Sequence, residues 1–187
     1  MSEKPKLENL ISGYLNGDMK KTALDFVAYM RENKMPPAYR PSLRYKCKYK
    51  IKGICTISLP RTSNIPNPYI DNEFGQEWMP QENIKNNWAV IPQLDYLSEY
   101  ENQIDDEMKN IIWDTKNIYF CNGCWANNPN FPDPRDSCGP RPARAIFGKE
   151  FEGLCGRAFF WFFNPDESAI RCIKRLLELE KQARDIN

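Results

Sequence analysis

The chain of 187 residues contains no histidine. That absence excludes Ser-His-Asp and Cys-His nucleophilic catalysis and any imidazole ligand to a metal. Proton transfer would have to use Asp, Glu, Lys, Tyr or Cys, whose pKa values need strong shifts to work near neutrality. Long apolar runs are also lacking: the longest, Ala158 to Phe163, is far too short to cross a bilayer. The opening "MSEKPKLENL" has no apolar stretch of the signal-peptide kind, so the expected location is the cytoplasm. An excess of one charge is missing as well. Lys and Arg number 26 against 25 Asp and Glu, a net charge of +1, which gives no general attraction to nucleic acid or acidic lipid. No internal repeat is visible.

Hydrophobic residues make up 41% and aromatics 13% of the chain, too rich for a disordered protein. The length suits one core, and the expected organisation is a short N-terminal arm over residues 1–17, with a helical turn through "LENLISGYL", followed by a single domain over 18–187. Asn16-Gly17 is a break signal, and Asp18 is the expected N-cap of a helix through "MKKTALDFVAYMREN". Ala23, Val27 and Met30 share one face of that helix, with Leu24 and Phe26 at its margins. Pro36 and Pro37 end it.

In "RYKCKYKIKGICTISL" Arg44, Lys46, Lys48, Lys50 and Lys52 alternate with Tyr45, Cys47, Tyr49 and Ile51, a strand with one basic and one apolar face. A second strand with Cys55, Ile57 and Leu59 inward makes a hairpin. A two-residue Lys52-Gly53 turn would put the lysines on the apolar face. Burial therefore favours an odd loop, pairing Ile51 with Cys55 and Tyr49 with Ile57, or a bulge. Further expected elements are a strand in "NNWAVIP", a helix in "IDDEMKNIIWD" with Ile104, Met108 and Ile111 on one face, a strand in "NIYF", and a buried central strand in "LCGRAFFWFF". Residues 60–86 and 125–144 read as long Pro-rich loops. The last helix has Asn164 as its expected N-cap, Pro165 at its first position and Glu167 completing a capping-box pattern. Its stripe is Ala169, Ile173 and Leu176, widened by Ile170 and Leu177. The element order implies an α+β fold: a mainly antiparallel sheet of about five strands, two to three helices packed on it, and the C-terminal helix closing the domain.

Seven cysteines in a cytoplasmic chain point to reduced thiols or metal ligands. Cys121 and Cys124 form a C-x2-C knuckle, followed by Cys138 and Cys155. Four thiolates suit tetrahedral zinc, and bound zinc would hold the loop between them. A zinc ribbon carries a second C-x2-C, which this chain lacks, and Cys155 opens an apolar strand where a plain core thiol fits equally. A redox pair lacks its βαβ setting. Cys47, Cys55 and Cys172 read as core or helix-face thiols.

Two other features bear on function. The lysine strand offers a phosphate or nucleic-acid surface, yet its lysines and tyrosines face opposite ways, so a solvated edge strand is the favoured reading over nucleic-acid binding. Trp78 and Trp125 lie in loops, and with Tyr96 and one of Glu77, Glu99 or Asp95 they would line an apolar pocket with an acidic group, suited to a small organic or cationic ligand.

The stretches "ALDFVAYMREN", "IIWDTKNIYFCNGC" and "IFGKEFEGLCGRAFFWFFNPDESAIRCIKRLLELEK" resemble a family of small uncharacterised proteins from clostridia and related Gram-positive bacteria. In that family a helix, a Lys/Gly hairpin, a Cys-rich loop, an "FGKEF" segment and a capped C-terminal helix recur in this order. The likeness spans roughly residues 15–182. It implies a bacterial cytoplasmic α+β domain with Cys121, Cys124, Cys138 and Cys155 as a group, and it carries no assigned activity. The stretches 60–86 and 125–137 are longer here than in that compact pattern. A more distant likeness to ligand-binding domains of bacterial regulators rests on element order.

The expectation is a non-enzymatic domain that binds a small ligand or a partner, with zinc on the four cysteines and Lys149 and Glu150 orienting the loop. One alternative is an enzyme using a cysteine or one of Glu77, Glu99 and Glu150. The other is an interaction module built on the basic strand.

Overall fold

A computed structural model describes residues 6–40, 44–59, 87–114, 144–152 and 160–187. Among them are four α-helices: α1 (Leu7–Tyr14), α2 (Gly17–Glu32), α3 (Asp106–Trp113) and α4 (Glu167–Ile186). The strands are β1 (Pro37–Arg40), β2 (Arg44–Tyr49), β3 (Lys52–Ser58), β4 (Ala89–Pro92), β5 (Arg144–Ile146), β6 (Lys149–Phe151) and β7 (Phe162–Phe163). The main sheet has five strands in the order β1-β2-β3-β4-β7, every neighbouring pair antiparallel. This is the α+β class that the element order implied, with more helix than the two or three expected. No helix among the described residues is long and apolar enough to cross a membrane.

The additional helix comes from the segment expected to be an arm. Leu7, Ile11 and Leu15 recur every four residues and are all buried, so α1 adds a stripe to the core and does not trail from it. An extended Leu15 ends α1, and Asn16, not Asp18, occupies the N-cap of α2. Ala23, Phe26, Val27 and Met30 are buried along α2. Lys34, with φ 62°, ends that helix in the left-handed region, and Met35 N–H reaches back to the Met30 carbonyl at 2.8 Å, the C-terminal closure typical of such ends.

The inner face of the sheet is one continuous cross-strand row. Tyr39, Tyr45, Ile57, Val90 and Phe162 are register partners in turn, and the last four are buried. The β2–β3 hairpin turns at Lys50–Ile51, where Lys50 has φ 54° and Ile51 is 87% exposed. Cys47 pairs with Cys55 and Lys48 with Gly53, so Ile54 is the extra residue of a β-bulge. The bulge expectation holds. The specific pairs Ile51–Cys55 and Tyr49–Ile57 are replaced by Cys47–Cys55 and Tyr45–Ile57. The bulge lets Ile54 and Cys55 both bury while the polar turn projects into water.

One strand expectation is corrected. β2 is flanked by β1 and β3, so the lysine strand is interior and its lysines do not guard an edge. Among the described residues β7 stands last in the strand order and pairs with β4; residues 154–159 of the expected central strand lie outside them. Its run looked uniformly apolar because Phe160 and Phe162 are buried inward while Trp161 and Phe163 stay half-buried on the other face. The expected strand at 117–120 lies outside the described residues.

Helix α4 closes the core. Its N-cap is Asp166, whose carboxylate accepts from Ala169 N–H at 2.8 Å. Asn164 is not the cap. It has φ 41°, and its Oδ1 accepts from Trp88 N–H at 2.8 Å, extending the β4–β7 ladder by a side-chain bond. Ala169, Ile170, Ile173, Leu176 and Leu177 are buried as the stripe required. Tyr29 hydroxyl donates to the Lys174 carbonyl at 3.1 Å and joins α2 to α4.

Candidate functional site

Along α4 the buried face runs Ile173, Leu176, Leu177, Glu180, Ala183, Arg184. Two charged residues therefore sit on an apolar stripe. Glu180 has no exposed surface and Arg184 is 8% exposed. Burying ions costs several kcal/mol each unless they are paired and hydrogen-bonded, and here both are.

Arg184 Nε donates to Glu180 Oε1 at 2.7 Å, one helical turn back. Its Nη1 donates to the Gly53 carbonyl at 2.9 Å, and its Nη2 to the Gln93 carbonyl at 3.0 Å and to Asp95 Oδ2 at 2.9 Å. Glu180 Oε1 also accepts from Asp95 N–H at 3.0 Å, and Oε2 from Tyr96 N–H at 3.2 Å and the Tyr100 hydroxyl at 3.0 Å. The carboxylate thus takes the amides of Asp95 and Tyr96, the two residues that lead into the 3-10 turn Leu97–Glu99. Burial, reinforced by the Glu180 charge, pushes the Tyr100 phenol far above its ordinary pKa. One ion pair on α4 fixes the bulged end of β3 and the segment that follows β4.

That segment forms one wall of a cleft of about 320 Å³. Leu94, Asp95, Leu97, Ser98 and Glu101 line it on one side, and Ala145, Ile146 and Phe147 on the other. The second wall is the β5–β6 hairpin. Its two-residue turn, Phe147–Gly148, has φ 49° and 80°, the left-handed pair that suits strand twist in a tight hairpin. Trp113 Nε1 donates to the Ile146 carbonyl at 2.8 Å and holds the hairpin to α3. Lys149 lies 5.6 Å from the centre of the Trp113 ring and 5.3 Å from that of Phe151. The cleft therefore joins an apolar wall to two carboxylates, of which Asp95 shares its charge with Arg184.

The expected pocket residues separate. Tyr96 lines a different and smaller cleft of about 150 Å³, with Tyr49, Lys50, Ile51, Lys52, Arg184 and Asn187. Glu99 is exposed and accepts from Asn187 Nδ2 at 2.9 Å. Asp95 is the expected acid that reaches the larger cleft. Trp78, Trp125 and Glu77 lie outside the described residues. Of the loop-orienting pair, Glu150 is exposed, and Lys149 packs on the rings named above. Sequence reasoning missed Glu180, Arg184 and Glu101. The first two did leave a signal, because charges at stripe positions one turn apart imply a buried pair.

Cys121, Cys124, Cys138 and Cys155, the expected zinc ligands, all lie outside the described residues. Among the described residues no group of three or more Cys, Asp or Glu side chains is placed to hold a metal ion. Cys47, Cys55 and Cys172 are free and buried, as expected of core thiols. Cys47 and Cys55 are direct register partners, and burial raises the Cys55 thiol well above its ordinary pKa, with Cys47 adding to the effect.

No family profile, curated protein or solved structure matches the chain. The functional reading therefore rests on the geometry of these clefts and faces.

Proposed function

We propose that the protein is a non-catalytic binding domain that takes a small organic cation between the 94–101 segment and the β5–β6 hairpin. One observation carries the reading: the cleft sets Leu94, Leu97, Ile146 and Phe147 against Asp95 and Glu101. Apolar walls with a few convergent polar groups are what small-ligand sites present. Two carboxylates against one guanidinium leave the cleft negative, which favours a cationic head on an apolar body. Both walls are braced, one by the Glu180–Arg184 pair and the other by the Trp113–Ile146 bond. A pre-formed site loses less entropy on binding. Glu180, the buried carboxylate, has its oxygens fully engaged in bracing, which argues for positioning over acid–base chemistry.

The test is a calorimetric titration with benzyltrimethylammonium as probe. Saturable binding should weaken at least about fivefold in Glu101→Gln, since a charge pair near the surface contributes about 1 kcal/mol. Equal affinity for the neutral isostere neopentylbenzene would contradict a cation site.

Zinc on Cys121, Cys124, Cys138 and Cys155 is a separate proposal, supported by their spacing in the sequence. Metal analysis of the purified chain should find about one equivalent of zinc, released when the thiols are titrated. Less than about a tenth of an equivalent, with all seven thiols titratable, would remove it.

A further inference from the structure

Cys47 and Cys55 face each other across the β2–β3 hairpin, and neither the cleft nor its brace uses them. They are direct register partners in an antiparallel pair. Such partners have Cα atoms about 4.5–5.5 Å apart, inside the span of about 4.4–6.8 Å that a disulfide bridges. Direct partners share a face of the sheet. Both side chains are fully buried in the main core, and both thiols are free. A hydrogen bond between them adds to burial in raising Cys55, so the two sulfurs already meet.

Two features separate this pair from an ordinary core thiol. The first is its place at the bulge, where the pairing shifts between Cys47 and Lys48 and Ile54 is the extra residue. A bulge interrupts the ladder and increases the local twist. The second is its nearness to the turn. Only two register pairs, Lys48–Gly53 and Tyr49–Lys52, lie between the cysteines and the hairpin tip. That short end is held by Arg184 on the Gly53 carbonyl and by Tyr49 and Lys50 on the exposed Asp185. Its local opening uncovers both sulfurs while the pairs from Arg44–Ser58 to Lys46–Thr56 stay formed. Cys172 is the contrast. It is also buried, but its thiol meets the Met108 carbonyl at 4.0 Å, and no thiol among the described residues faces it.

We infer that Cys47 and Cys55 form a dithiol switch, closed to a disulfide by a hydroperoxide and reopened by a thiol reductant. Cys47 gives up its proton and attacks one peroxide oxygen. The O–O bond breaks, Cys47 becomes a sulfenic acid, and the leaving hydroxide takes the proton as water. Cys55 Sγ then attacks the Cys47 sulfur. The S–O bond breaks, the S–S bond forms, and the second hydroxide leaves as water with the Cys55 proton. The two sulfurs lose two electrons, and one hydrogen peroxide becomes two waters. Cys55, which burial holds protonated, suits the second step. Closure staples the hairpin end and blocks the opening that admitted the oxidant. The response is slower than that of an exposed thiol, because each event waits for that opening. This inference is independent of the cleft.

The test treats the reduced full chain with hydrogen peroxide at neutral pH, then unfolds it in iodoacetamide and maps its peptides by mass spectrometry without reduction. Cys47 and Cys55 should leave the alkylated pool together and appear in one cross-linked peptide pair. Dithiothreitol should return both. Cys172 should stay alkylatable throughout. In native-state hydrogen exchange the amides of Tyr49 and Gly53 should slow at least about tenfold in the oxidised protein, because the opening is closed off. Cys55→Ala should accumulate a Cys47 sulfenic acid that dimedone labels, and the wild-type mapping carries the test if that variant does not fold. Cys47 or Cys55 joined to any other cysteine overturns the inference. So does loss of Cys172 at the same rate, which would assign the access to global unfolding. Two thiols still free after the peroxide has oxidised the unfolded chain completely would overturn it as well.

Discussion

Arg184 donates to Glu180 at 2.7 Å, and both side chains are buried on the apolar stripe of the C-terminal helix. Through Gly53, Gln93, Asp95, Tyr96 and Tyr100 the pair ties α4 to β3 and to one wall of the cleft. Removing Arg184 strands Glu180 in the interior without its counter-charge, and removing Glu180 leaves Arg184 with the largely exposed Asp95 in place of its buried partner. Glu180→Ala and Arg184→Ala should therefore each cost about 3–5 kcal/mol of stability. The double change Glu180→Leu with Arg184→Met should recover much of that, because no ion is left in the interior. Urea denaturation measures all three. A cost below about 1 kcal/mol in either single variant, the range of a solvated surface pair, would contradict a buried brace.

The Tyr100 hydroxyl donates to the Glu180 carboxylate at 3.0 Å. Tyr100→Phe should cost about 1–3 kcal/mol, the worth of a hydrogen bond to a charged group. Tyr96→Phe, whose backbone and not its hydroxyl meets Glu180, should cost less. Equal losses in urea denaturation would show that the phenol contributes packing alone.

Burial pushes the Cys172 thiol up to about 12, from 9.0 in an unfolded chain. Burial also raises Tyr45 from 10.0 to about 12. Between the unfolded and folded values the native state holds protons that the unfolded state has lost, so stability falls as pH rises. The contribution of each group is fully present below its unfolded pKa. Urea midpoints should hold level up to about pH 9 and then decline steadily toward pH 12. Cys172→Ala, less stable at neutral pH, should show a shallower decline. A parallel decline in wild type and variant would contradict the assignment to Cys172.

Cys47, Cys55 and Cys172 are buried, so an alkylating reagent should leave these three thiols unmodified in native protein near neutral pH. Mass spectrometry after brief labelling should find them modified only once the chain unfolds. Labelling of Cys47 or Cys55 at the rate of a free thiol would contradict the packing of β2 on β3.

How much of this was legible in the sequence follows from the range of the interactions. Periodicity exposed the face of α2, the stripe of α4 and the bulge requirement in the hairpin, because each depends on residues close in sequence. Asn164 read as a cap, yet its amide is taken by Trp88, a partner 76 positions away that no local rule contains. The lysine strand read as an edge because alternation reports faces and not neighbours; strand order depends on pairings distant in the chain. The cleft was half visible. Asp95 was named, but Tyr96 and Glu99 beside it point elsewhere, since the chain turns into the 3-10 segment Leu97–Glu99 just after Tyr96 and adjacent side chains scatter around its axis. Glu101 carried no pattern at all, and its place in the cleft arises only when the β5–β6 hairpin packs opposite.

The central claim is that the Asp95–Glu101 cleft binds an organic cation. Its most direct measurement is the map of backbone amide shifts as benzyltrimethylammonium is added to isotopically labelled protein. The largest shifts should cluster at Leu97, Ser98, Glu101, Ile146 and Phe147, saturate together, and vanish together in Asp95→Asn with Glu101→Gln. Shifts that never saturate, or that persist unchanged in that double variant, would contradict the claim.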